Sequence, residues 1–337
     1  MPAFFILNRF FTLALVLICL CLYTALMEIT LTNHKFQATI SSYGAQLLSF
    51  KNLSTGAEHI WNGNPGVWKF RAPILFPIVG RLKDGYYLWQ GQEYPLPNHG
   101  FARDFEHTLV ESSSDRVLWR LTETEDTLKI FPWPFVFETE YRLEDSTLVF
   151  CTTVNNPGRG ELAFSLGSHT GLVYPWISCS KKSFKSDFII QFEKDEIPDF
   201  IQSSEDGFPL GQWRQLSGEK RVFVPKTIPY PHIKDGKVIL QDGFFASGHI
   251  LANFTSQWVA LVDSSTGEGI KVNTAGYPYL VLWQSPSIQH PFVCIEPWYG
   301  LPDTKDTNHQ WKEKPGLIRL PPEKSFTTNQ SLTFGLV

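Results

Sequence analysis

Apolar and polar residues alternate one by one along most of this chain, and a period of two restricts the fold more than any other feature. Val117, Trp119 and Leu121 point one way, with Arg116, Arg120 and Thr122 on the other face. Phe137, Thr139, Tyr141 and Leu143 alternate with Glu138, Glu140 and Arg142, and Leu148, Phe150 and Thr152 continue the pattern after the turn Glu144-Asp145-Ser146. Side chains of a strand leave it on alternate faces, so short alternating segments separated by Asn, Gly, Asp and Pro predict antiparallel β structure. No long stretch carries the helical period. Many short strands over residues 27–337 predict an all-β chain, a large antiparallel β-sandwich and not a doubly wound α/β fold. No repeat of about 20–50 residues is present. Ser178–Lys237 is rich in Lys, Ser, Asp and Pro and is expected to form long loops or an excursion from the sheets.

Residues 1–26 differ from the rest. Phe10–Leu26 is almost unbroken apolar sequence with Arg9 before it, which reads as a secretory hydrophobic segment or a short membrane anchor. A third reading is a start assigned upstream of the true one, because Met1 and Met27 are the only methionines and domain-like sequence begins at the second. The domain holds Cys151, Cys179 and Cys294, an odd and sparse set that argues against a disulfide framework and for a reducing compartment. The expected location is the cytoplasm, or a membrane or the exterior if residues 1–26 are retained. A net charge of −4 without a basic cluster argues against nucleic acid as a partner. Aromatic residues make up 15% of the chain, which suits a β-rich core first and sugar stacking second.

Motifs for dinucleotide binding, phosphate loops, zinc peptidases and serine-hydrolase elbows are missing, and no C-x-x-C pair suggests zinc. Spacing thus points to no metal and no cofactor. Two ionisable residues lie in unusual company. Glu296 is the one carboxylate in the apolar run PFVCIEPWYG, where burial would raise its pKa towards neutrality. His169 ends the apolar strand AFSLGSHTG at a Gly-rich turn. A buried carboxylate and an imidazole are the minimal pair for acid–base chemistry. Arg81 follows the apolar stretch RAPILFPIVG and offers a donor fork for hydroxyls; His99, in NHGFARD, offers a second imidazole. An Arg after an apolar strand is ordinarily a solvated strand end, and a lone His beside Gly ordinarily a turn residue. Spacing does not show that the four converge.

FPIVGRLKDG, NHGFARDFE, FSLGSH and FVCIEPWYGLPD, in this order, resemble the aldose 1-epimerase (galactose mutarotase) family, in particular its shorter bacterial branch. The resemblance runs from about Met27 to Val337, and its start at Met27 favours the upstream-start reading of residues 1–26. It implies a β-sandwich with a sugar in an open cleft on one sheet, and interconversion of α and β anomers of an aldose without metal or nucleotide. By resemblance, Glu296 is the general base for the C1 hydroxyl and His169 the general acid for the ring oxygen. His99 and Arg81 match positions that hold the ring oxygen and hydroxyls. Two departures stand out. The branch follows its catalytic His with a motif such as Pro-Ala-Phe, where this chain has Thr170-Gly171-Leu172. The family's substrate-binding Asp lies in a stretch like KNDALVF; in the match here, IKDGKVIL, the Asp is either Asp235, one residue out of register, or missing. Three alternatives are kept. A sugar-phosphate mutarotase would use cations such as Lys83, Arg103 or the Lys181–Lys185 group. A non-catalytic carbohydrate-binding protein would share the scaffold. A glycosidase would need a second carboxylate.

Overall fold

The computed structural model describes residues 26–176, 184–217, 220–285 and 291–337. Expectations for residues 1–25, Cys179, Lys181 and Lys182 therefore fall outside the described residues. Of the described residues, almost all regular structure is β, with one short α-helix, Glu125–Ile130. A nine-stranded sheet runs in the order Lys237–Ile239, Phe188–Phe192, Trp258–Asp263, Glu268–Asn273, Ser325–Leu336, Thr147–Asn155, Val136–Glu144, Arg116–Thr122, Thr108–Ser112. Facing it, a path of seven strands runs Thr227–Pro229, Asp199–Ile201, His249–Ala252, Tyr279–Gln284, Phe292–Tyr299, Leu166–Ser168, Ile74–Leu75, and Thr170–Val173 adds an eighth against Phe292–Tyr299. All these strand pairs are antiparallel.

Alternation decides what each strand buries. Phe137, Thr139, Tyr141 and Leu143 are buried, and Glu138, Glu140 and Arg142 are only partly covered. Phe137, Tyr141 and Val154 of the nine-stranded sheet join Leu280, Leu282, Val293 and Ile295 of the facing sheet in one core cluster. Burying side chains of this size stabilises by about 1.5–3 kcal/mol each, so the two inner faces hold the sandwich together. The other face of Phe292–Tyr299 is also covered. Phe292, Cys294 and Trp298 alternate with Val293 and Ile295 and pack into two separate clusters outside the main core. A strand covered on both faces reads as a continuous apolar run, which is why PFVCIEPWYG lacks alternation.

The segment expected to be loops is more regular than its composition suggests. Phe188–Phe192 enters the nine-stranded sheet, Asp199–Ile201 enters the facing one, and Gly211–Ser217 pairs with Lys220–Pro225 in a separate hairpin. The two sheet strands lie second from the edge, beside the edge strands Lys237–Ile239 and Thr227–Pro229. Edge strands and an isolated hairpin expose one side to water, so polar composition is compatible with pairing in this region. At the other end of the chain, Met27 N–H donates to Ser42 Oγ at 3.0 Å, and Glu28–Thr32 pairs with Phe36–Ser41. No helix among the described residues is long and apolar enough to cross a membrane.

His59 is fully buried with both ring nitrogens unpartnered, its ring against Trp176 and Phe334 at 4.9 and 5.0 Å. Burial pulls its pKa from 6.5 down to about 3. A depressed histidine contributes stability that is complete above its unfolded value and is lost as pH falls through its folded value. The His59→Leu variant is therefore expected to lose less stability than the parent between pH 6.5 and pH 4. The gap should widen by roughly 1.4 kcal/mol per pH unit in urea unfolding. Parallel losses in both proteins would show that His59 is not the group that titrates.

Candidate functional site

Strand register brings the two ionisable residues together. Gly167 is paired with Trp298 and Thr170 with Ile295, so His169, between them, stands across the ladder from Glu296. Val281 is the neighbour of Glu296 on its other side. Cross-strand neighbours lie about 4.5–5.5 Å apart at Cβ, close enough for side chains to touch. His169 Nε2 is 3.3 Å from Glu296 Oε1, and the two residues are 6% and 1% exposed.

Both line a cleft of about 450 Å³ on the outer face of the smaller sheet, as do His99 and Arg81. Four of the five residues singled out in the sequence thus meet. Asp235 does not. It lies exposed in the tight turn Lys234–Lys237, at the outer edge of the opposite sheet, with φ +51°. The structure thus places Asp235 away from this cleft, in a turn that exposes it to solvent. Ser203, Gly207, Ser247 and Gly248 complete the cleft instead.

His99 is fixed by backbone. Its N–H donates to Gly80 O at 2.7 Å, and the Gly80 N–H donates to His99 Nδ1 at 3.1 Å. Nδ1 is thus an acceptor, which puts the ring proton on Nε2 and leaves that nitrogen as a donor. His99 holds φ +64°, a strained setting for a residue with a Cβ and one that clusters at functional sites. Its ring lies 5.4 Å from that of His169.

Arg103 is the cleft residue whose setting the sequence least reveals. Only 9% exposed, it donates from Nη2 to Asn98 O at 2.7 Å and lies over the Phe70 ring at 4.2 Å. Its motif, NHGFARD, stands out through His99, and the same turn delivers both. Arg81, by contrast, is exposed at the cleft mouth, 4.5 Å over Phe208. Trp68, Trp283 and Trp298 supply flat apolar walls. Trp68 lies 4.7 Å from the His169 ring. The departure at Thr170-Gly171-Leu172 has a reason here: a Cβ on Gly171 would stand 3.0 Å from Trp68 Cζ3 and from Arg71 O. A small residue lets the indole pack close behind the imidazole.

Burial dominates the electrostatics. It raises the Glu296 pKa well above the usual carboxylate value, against the opposing pull of the Trp298 indole and the Arg103 charge. The indole acts at a distance, because its Nε1 and both carboxylate oxygens have no partner with hydrogen-bond geometry. Burial first, and Arg103 second, depress His169. Burial therefore favours the neutral form of each group, a single proton on the pair carried by Glu296. Such a site can accept a proton from one hydroxyl and return it to another oxygen of the same small molecule.

A sequence model of the family described as aldose 1-epimerase matches residues 27–333. A curated relative, the plasmid-encoded protein LacX of Lactococcus lactis, is 26% identical and aligns over 88% of this chain and 95% of its own. Two solved structures share the fold at somewhat higher identity. One is described as a galactose mutarotase related enzyme from Lactobacillus acidophilus, 28% identical, with TM-score 0.79 over 92% of this chain and 97% of that one. The other, a galactose mutarotase-like protein from Lactobacillus casei, is 27% identical, with TM-score 0.78 over 92% and 100%.

Proposed function

The chain belongs to the aldose 1-epimerase family, and from that premise we propose that it interconverts the α and β anomers of a hexose, with Glu296 as general base and His169 as general acid. The observation that carries this reading is the 3.3 Å contact of His169 with Glu296 inside an aromatic-walled cleft. Glu296 removes the C1 hydroxyl proton as His169 protonates the ring oxygen, and the C1–O5 bond opens. The aldehyde turns about C1–C2, and the reverse transfers close the ring on its other face. Ring opening starts with the proton on His169 and leaves it on Glu296, with both groups neutral as burial favours, and ring closure by the reverse transfers returns it to His169. The His99 Nε2–H and the Arg81 guanidinium hold the ring oxygen and hydroxyls. Mutarotation proceeds unaided, so two placed proton carriers, each giving about 10²–10⁴-fold, suffice. Polarimetry of freshly dissolved α-D-glucose and α-D-galactose tests the proposal; a rate no faster than buffer with either sugar would sink it.

The shared proton makes a pH prediction. The singly protonated pair is the working form, so activity falls when pH rises through the raised Glu296 pKa and when pH drops through the depressed His169 value. The acid-side loss of kcat/KM should accordingly lie well below the ordinary imidazole range near 6.5. An acid-side loss centred near 6.5 would mean that burial does not depress His169.

Arg81 and Arg103 both line the cleft, and this favours a second reading, a sugar bearing an anionic group such as a phosphate. Lys83 and Lys185 do not line it. Turnover of a hexose 6-phosphate at a much lower KM than the free hexose would select this reading. A glycosidase is disfavoured, since Glu296 is the sole carboxylate lining the cleft among the described residues.

The domain is proposed to be self-sufficient from Met27. A protein starting there is expected to match the full chain in kcat/KM and thermal midpoint, because Glu28–Thr32 already begins the ordered sheet. An unfolded or inactive product would show that upstream residues pack into the domain.

A further inference from the structure

Cys294 has no part in the acid–base chemistry and does not line the cleft, yet it stands directly behind the catalytic pair. It lies two residues before Glu296 on the same strand face, and it is fully buried against Trp61 and Phe292. A free cysteine in such a corner is ordinarily a small hydrophobe. Its neighbours make this one different. His169, Cys294 and Glu296 each offer a ligand atom, and the three atoms lie within 4.8 Å of one another. His169 Nδ1 and both Glu296 oxygens are buried without hydrogen-bond partners. We propose that these three side chains form a binding site for a thiolate-seeking divalent cation of the Zn²⁺ class, and that the bound ion switches the cleft off.

The donor set fits that class. Zinc takes nitrogen, sulfur and carboxylate oxygen at about 2.0–2.3 Å in a tetrahedron, which separates neighbouring donors by about 3.3–3.8 Å. The Nε2–Oε1 distance of 3.3 Å already matches. Closing the widest gap from 4.8 Å asks for a side-chain shift of about 1 Å. Charge fits as well. One carboxylate, one thiolate and one neutral imidazole cancel a divalent cation, so the buried site stays neutral. The carboxyl and thiol protons pass to water as the metal–oxygen and metal–sulfur bonds form, and nothing is oxidised or reduced. The ion enters through the cleft, which His169 and Glu296 line, and its fourth position faces that opening. Mg²⁺ and Ca²⁺, which require six or more oxygens, are rejected. The metal occupies the lone pairs that carry the proton, so binding excludes turnover; that second half rests on the function proposed above.

The test is a titration of the metal-free full chain with Cd²⁺, reading the thiolate-to-metal charge-transfer absorption, with Zn²⁺ as competitor. The parent protein is expected to develop the band at one equivalent. Cys294→Ser and Cys294→Ala should lose it, with Zn²⁺ affinity reduced by about 100-fold or more, since removing even an outer-shell partner costs about 10–100-fold. In polarimetry, Zn²⁺ should inhibit the parent and not the two variants. A missing band in the parent, or a band or Zn²⁺ inhibition unchanged in both variants, overturns the site. If the band behaves as expected but the metal-free parent turns over no sugar, the metal site stands and the mutarotase reading falls.

Discussion

Glu296→Gln is expected to lower kcat/KM for anomer interconversion by about 10²–10⁴-fold while the fold survives. The amide keeps the shape of the side chain and cannot accept the C1 proton. Structure should tolerate it, because both carboxylate oxygens lack partners and no hydrogen bond is broken. Burial favours the neutral carboxyl, and a neutral amide suits the same surroundings. Polarimetry beside circular dichroism and thermal melting separates the outcomes. A near-normal rate with an intact fold would assign the base elsewhere.

A second large effect is expected far from any proton. Gly100 has φ +72°, and a Cβ there would sit 2.2 Å from Phe76 O, 2.4 Å from Phe76 C and 2.6 Å from Pro77 N. All three are backbone atoms of the segment paired with the turn, so no side chain can swing away. Gly100→Ala should cost roughly 3 kcal/mol or more, at the upper end of single substitutions. It should also impair activity at temperatures where the protein remains folded, since the same turn carries His99 and Arg103. Gly91 is the control. It has φ +79°, and a Cβ added there would meet no atom within 4 Å, so Gly91→Ala should cost only about 1 kcal/mol and spare activity. Equal losses in urea unfolding would show that backbone conformation, and not the clash, sets the cost at Gly100.

Alternation identifies Phe137, Tyr141 and Phe150 as core residues because those strands have one covered face and one solvated face. It fails in Phe292–Tyr299, where both faces are covered, but the failure is informative: a lone carboxylate in an unbroken apolar run is conspicuous. The pairing of His169 with Glu296 is invisible in the sequence, because register between strands 127 positions apart is set by the whole sheet. Arg103 is legible as a cation and not as a buried one, since an Arg in a polar turn gives no sign that Phe70 covers it. Asp235 fails for a related reason. Its turn lies at the edge of the sheet opposite the cleft, and only the strand pairing shows that remoteness. In Ser178–Lys237, composition suggests loops because edge strands and an isolated hairpin tolerate the same polar residues.

The place of Ser325–Leu336 bears on how the protein is made. This strand, the last among the described residues, lies fifth of nine in its sheet, between Glu268–Asn273 and Thr147–Asn155. During synthesis, at about 5–20 residues per second, the two halves of that sheet wait as unpaired edges until Ser325–Leu336 has emerged from the ribosome. Until then the nascent chain carries Thr147–Asn155 and Glu268–Asn273 without their shared neighbour, and the central ladder closes only after Ser325–Leu336 is made. Chaperone demand should concentrate at that moment, and a ribosome stalled short of Ser325 would hold a chain unable to complete its central ladder.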